Sequence, residues 1–172
     1  VPRAAAGDDE GGLFAAVERG DVEAAADVLA SDPTAVGETA GPESSDLPLN
    51  RAAARGYAAM VDLLIQYGAK PNVRGAGGST PLHDAVRGGH AAAADRLLRA
   101  GAKVDARDDA GTTPLLLAVR LPDVALARLL LENGASPDAV GGPGQPKTPL
   151  QIAAESPAGA AMTDLLRRHG AR

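Results

Sequence analysis

A Pro-Leu pair recurs along the chain at Pro48-Leu49, Pro81-Leu82, Pro114-Leu115 and Pro149-Leu150, at intervals of 33, 33 and 35 residues. A Gly-Ala pair forms a second ladder from Gly68, Gly101, Gly134 and Gly170, at intervals of 33, 33 and 36. Two independent ladders of one period restrict the chain to a stack of small repeated units, each unable to bury its apolar face without a neighbour.

Each period reads as helix, turn, helix and loop. Proline suits the first helical turn, where its missing N–H would have had no partner. Thr80, Thr113 and Thr148 stand just before it and can cap the free amides. The pattern predicts a short helix over 81–87, a turn at Gly88 and Gly89, and a second helix over about 91–99 that ends at Gly101. Met60, Leu63 and Leu64 recur two periods later as Leu126, Leu129 and Leu130, at helical spacing. The polar, Gly-rich stretches GAKPNVRGAGGSTP and GAKVDARDDAGTTP begin with alternation and predict an extended finger ending in a tight turn.

Composition narrows the core. Apolar residues are 45% of the 172, yet the aromatics are only Phe14, Tyr57 and Tyr67, so the interior must be Ala, Leu and Val between closely packed helices. With no Cys, disulfides, thiolate metal sites and Cys nucleophiles are excluded. Seventeen basic against 22 acidic residues, a net charge of −5, argue against general attraction to nucleic acid or anionic membranes. No stretch approaches the roughly 18 apolar residues of a membrane span. Residues 1–12, VPRAAAGDDEGG, read as a disordered lead-in without the apolar centre of a signal peptide. A chain beginning at Val1 leaves export open, with the cytoplasm as default. Fourteen Arg against three Lys, and Ile only at Ile65 and Ile152, suggest a GC-rich, bacterial genome.

Thr80-Pro81-Leu82-His83-Asp84-Ala85 resembles the signature of the ankyrin repeat family, with weaker copies at Thr113–Ala118, Thr148–Ala153 and Leu47–Ala52. The segment 13–33 looks like a first helix pair without its finger. The resemblance implies an all-α solenoid of five stacked helix–turn–helix units with β-hairpin-like fingers over 13–172, divided at about 13–40, 41–73, 74–106, 107–141 and 142–172. The end units are polar where inner units are apolar. Arg167 stands where Ile65, Leu98 and Leu131 stand, and Glu18, Asp21 and Glu23 lie in the first unit, so a self-contained soluble module is expected.

Chemistry is thinly represented. His83 sits in the family signature, where the imidazole is expected to bond loop backbone; His90 follows the inter-helix turn, and His169 lies in the last unit. None has a partner at metal-ligand spacing. Ser44, Ser45, Ser79 and Ser156 are loop residues without a nucleophile elbow. Gly75, Gly77 and Gly78 lack the Lys of a phosphate cradle, and Asp108-Asp109 reads as a turn. No enzyme activity, cofactor or metal is expected.

A binding surface is better supported. In the ankyrin family, fingers and first helices line a concave groove, and the resemblance implies that a partner docks there. Arg19, Arg55, Arg87 and Arg120 stand at the ends of successive first helices, either as a solvated edge or as a basic ladder suited to an acidic peptide. Arg74 and Arg107 extend it on two fingers, and Asp109 makes it mixed in sign. Leu117 and Leu121 are balanced between core and contact, while Leu116 is expected in the core. The connection 36–46 is enlarged, and further insertions fall before the last unit and near Ser156–Gly159. The expected function is a non-catalytic module binding a protein or extended peptide, as an inhibitor, immunity or assembly factor. It is expected to be monomeric, with neither nucleic acid nor membrane as partner. The alternatives are an enzyme or small-ligand protein using a groove pocket, and a structural spacer.

Overall fold

The computed structural model describes residues 12–39, 46–121, 123–142, 144, 146–155 and 159–172. The lead-in 1–11, the centre of the 36–46 connection and the insertion at 156–158 lie outside the described residues. Among the described residues ten α-helices form five pairs: α1 (Leu13–Arg19) and α2 (Val22–Ser31), α3 (Pro48–Arg55) and α4 (Ala58–Gln66), α5 (Pro81–Arg87) and α6 (Ala91–Arg99), α7 (Pro114–Arg120) and α8 (Val124–Glu132), α9 (Pro149–Ala154) and α10 (Gly159–Arg168). The first helices α1, α3, α5, α7 and α9 pack in one row, and the second helices in another behind it. First helices run six to eight residues and second helices nine or ten.

The predicted boundaries of α5 and α6 are those observed, because the capping residues act as expected. Thr113 Oγ1 accepts from the amide of Leu116 at 3.3 Å. Thr148 and Gln151 cap reciprocally: the hydroxyl accepts from the Gln151 amide at 3.3 Å, and Gln151 Oε1 accepts from the Thr148 amide at 2.8 Å. After the second helices, Gly68, Gly101, Gly134 and Gly170 adopt φ between +87° and +94°, the left-handed conformation that only glycine enters cheaply.

The core lies between the rows. Leu49, Leu82 and Leu115 from first helices meet Met60, Leu64, Leu97, Leu126, Leu130, Met162 and Leu166 from second helices, all essentially solvent-free. Each such side chain contributes about 1.5–3 kcal/mol by leaving water. Alanines fill the closest approaches: Ala52, Ala53, Ala85, Ala94, Ala118, Ala127 and Ala153 are inaccessible. Phe14, Tyr57 and Tyr67 are only half-buried, so the core is aliphatic as the composition requires. At the last unit, Arg167 is exposed where Leu131 is buried.

The fingers differ from full β-hairpins. Among the described residues there are no named strands, and closure is local: the Gly75 amide donates to Ser79 O at 2.8 Å, the Asp108 amide to Thr112 O at 3.1 Å, and Gly141 pairs with Lys147 at 3.3 and 3.4 Å. Each tip is too short to extend the pairing into a ladder, so hydrogen bonds to the next finger take over.

Candidate functional site

Those inter-finger bonds use the arginines that the sequence singles out. Arg74 Nη1 donates to Arg107 O at 2.8 Å, and its Nη2 pairs with Asp109 at 2.7 Å. One unit on, Arg107 Nη1 donates to Val140 O at 2.8 Å and to its own turn at Gly111 O at 3.0 Å. Arg74, Arg107 and Asp109 thus join one finger to the next while their side chains stay at the surface. Asp108 accepts from the amides of Ala110 and Thr112 at 3.0 and 2.8 Å, which makes it a turn former.

A parallel set of clasps was missed from the sequence, although its spacing was visible. Asn72, Asp105 and Asp138 are 33 residues apart and each holds the backbone amide that follows the next Gly-Ala pair. Asn72 Oδ1 accepts from Lys103 N at 2.7 Å, Asp105 from Ser136 N at 3.0 and 3.1 Å, and Asp138 from Arg172 N at 2.9 Å.

The helix arginines do not form one straight row. Arg19 and Arg55 directly precede the left-handed glycines Gly20 and Gly56, whereas Arg87 and Arg120 are the seventh residues of their proline-initiated helices and sit one position earlier relative to the turn. One residue rotates a side chain by about 100° around a helix. Arg55 pairs with Glu18 at 2.6 Å, and Glu18 also holds Arg51 Nε at 3.0 Å. Arg51 pairs in addition with Asp46 and lies 5.6 Å from the Phe14 ring centroid. Arg87 pairs with Asp84 at 2.8 Å; Asp84 also accepts from Asn50 Nδ2 at 2.7 Å and Ser79 Oγ at 2.6 Å. Arg19 ends α1 and is exposed. Arg120 is exposed and has no carboxylate partner among the described residues; its guanidinium lies over Gly142 on the neighbouring finger.

Around Arg120 the surface is aliphatic. Leu116 is fully buried, Leu117 is half-buried against the core, and Leu121 is 45% exposed. Val140, two residues before Gly142, is 46% exposed. Among the described residues these two are the large apolar side chains left to solvent.

The histidines are structural in their contacts. His83 is inaccessible; its Nδ1 accepts from the Thr80 amide at 3.2 Å and lies 2.8 Å from Thr80 Oγ1, so the ring is the neutral tautomer that donates from Nε2 to Thr112 O at 3.0 Å. Burial holds its pKa below 6.5, outweighing the upward pull of the Thr112 carbonyl and of Asp108 and Asp84. His90 bonds Ala54 O at 3.1 Å. Among the described residues no three His, Cys, Asp or Glu side chains gather into a metal-holding group, and no helix is long and apolar enough to cross a membrane.

The stacked pairs, the capped Pro-Leu helices and the His83 bond to the next finger agree with the sequence comparison. The model for ankyrin repeats (3 copies) matches residues 13–108 and again 49–141. The chain belongs to the ankyrin repeat family. No curated protein matches it in sequence. Ankyrin arrays are generally protein–protein interaction modules, and this one is an all-α solenoid.

Proposed function

We propose that this ankyrin array binds a protein or an extended peptide, without catalysing a reaction, through the face built from its first helices and fingers. Such a module would act as an inhibitor, an immunity protein or an assembly factor. The observation that carries the reading is where apolar surface is left uncovered. Leu121 follows a first helix and Val140 lies on a finger, whereas the outer second helices show solvent Ala92, Arg96, Arg99 and Arg128. Apolar side chains kept in water where a partner could cover them favour that face as the contact surface.

The test is site-specific photo-crosslinking in the source cells. A photoreactive amino acid at position 121 or 140 should attach the same partner protein, and one at position 92 or 128 should not. A partner attached only from 92 and 128 would move the interface to the second helices.

A further inference from the structure

We propose that the surface around Arg120 is a docking site for a linear protein segment in which a carboxylate stands beside a leucine-sized aliphatic side chain. The proposal rests on the finger-and-first-helix face being the binding face, and it names the subsite and the partner chemistry there.

Arg87 and Arg120 occupy the same helical position, but three residues earlier α5 carries Asp84 and α7 carries Leu117. The swap removes the internal carboxylate that neutralises Arg87 at 2.8 Å and puts a half-buried apolar surface in its place. The neighbouring positions change in the same sense: His83 becomes Leu116, and Gly88 becomes Leu121. Elsewhere the cations of this face are already engaged. Arg55 is paired with Glu18, Arg74 with Asp109, and Arg107 with backbone carbonyls. Arg120 is left with a guanidinium and no protein anion among the described residues, in a chain whose net charge is −5.

The guanidinium lies against the neighbouring finger. A Cβ built on Gly142 would collide with Arg120 Nη2 and lie 3.1 Å from Cζ, so the absent side chain at 142 is the space in which Arg120 rests. Leu121 and Val140, 45% and 46% exposed, give a partner's aliphatic group a surface to cover beside the charge-assisted bond. A phosphate or nucleic-acid backbone would meet Arg120, an Arg107 already committed to the Val140 and Gly111 carbonyls, and the apolar Leu121 and Val140, a poor match for a multiply charged ligand.

The experiment selects random linear peptides against the full-length protein and measures the affinity of those recovered by fluorescence anisotropy. Recovered peptides should carry Asp or Glu beside Leu, Ile, Val or Met. Arg120→Gln and Leu121→Ser should each weaken them by at least about tenfold, with Arg128→Gln unchanged. Both Arg120 and Leu121 are exposed, so circular dichroism of their variants should match the parent. Peptides without acidic residues, or a selection that recovers no more from the parent than from the Arg120→Gln/Leu121→Ser double variant, would overturn the proposal. Peptides lost in Arg55→Gln or Arg87→Gln but retained in Arg120→Gln would overturn the subsite and leave the face intact. Peptides lost only in Arg128→Gln would overturn the face itself.

Discussion

Three glycines, Gly20, Gly56 and Gly89, occupy the same slot between the helices of successive units, with φ of +70°, +74° and +74°. They differ in what stands above them. A Cβ on Gly89 meets nothing within 4 Å; on Gly20 it would lie 3.0 Å from the Tyr57 ring; on Gly56 it would lie 2.5 Å from His90 Nδ1 and 2.6 Å from Cγ. Replacement by alanine should therefore separate backbone strain from collision. Gly89→Ala should cost about 1–2 kcal/mol, the penalty of a left-handed L-residue. Gly56→Ala adds the displacement of His90 and its 3.1 Å bond to Ala54 O, worth about 0.5–1.5 kcal/mol, for a total of about 1.5–3.5 kcal/mol. Gly20→Ala should fall between them, because the tyrosine ring need yield only slightly. Urea denaturation followed by far-UV circular dichroism measures all three. Combining Gly56→Ala with His90→Ala should recover the collision component, leaving a double-mutant coupling near 1 kcal/mol. Equal costs for Gly56→Ala and Gly89→Ala, or no coupling with His90, would refute the reasoning.

Other predictions follow from single contacts. Because burial lowers the His83 pKa in the folded state, its contribution to stability is fully present above the unfolded value of 6.5 and is lost as pH falls from there toward the folded pKa. His83→Gln, which keeps a donor and an acceptor as Gln151 does, should flatten that acid-side slope in urea titrations; identical slopes would count against the assignment. Asp105→Ala should cost about 1 kcal/mol and speed hydrogen exchange at the Ser136 amide, with little change at Lys103, which Asn72 holds. In α6 the buried side chains are Ala93, Ala94 and Leu97, against Leu126, Ala127, Leu130 and Leu131 in α8. Exchange should accordingly be faster in α6, and finding 91–99 the best protected helix would reverse that ranking. Arg120→Ala should leave stability within about 0.5 kcal/mol of the parent, whereas Arg74→Ala should loosen the finger that carries Asp109.

The fold was legible because each signal had one physical meaning: Pro-Leu starts a helix, Gly-Ala ends one, and the interval between them repeats. The binding surface was less legible because charge in a sequence carries no partner. Arg55 and Arg87 look alike in the chain, yet one reaches back a unit to Glu18 and the other three residues to Asp84. α3 is also one residue longer than α5, so arginines counted as equivalent stand on different sides of their helices. The difference that matters most, Leu117 where α5 has Asp84, reads in sequence as an ambiguous apolar residue. Only the location of Asp84 against Arg87 shows that a counter-charge has been withdrawn. The asparagine and aspartate clasps at 72, 105 and 138 had the right period, but polar residues in loops carry no pattern that separates a clasp from a solvated turn.

The clasps of the fingers also have a direction. Asn72, Arg74, Asp105, Arg107 and Asp138 all reach toward higher residue numbers, to partners about one unit ahead. On a ribosome the donor or acceptor side chain therefore emerges first and waits for its counterpart. At about 5–20 residues per second, a 33-residue interval is roughly 2–7 s. Each new unit is met by contacts already presented by the one before it, so the array can close like a zip at the speed of synthesis, with the most recently made finger always the one still open.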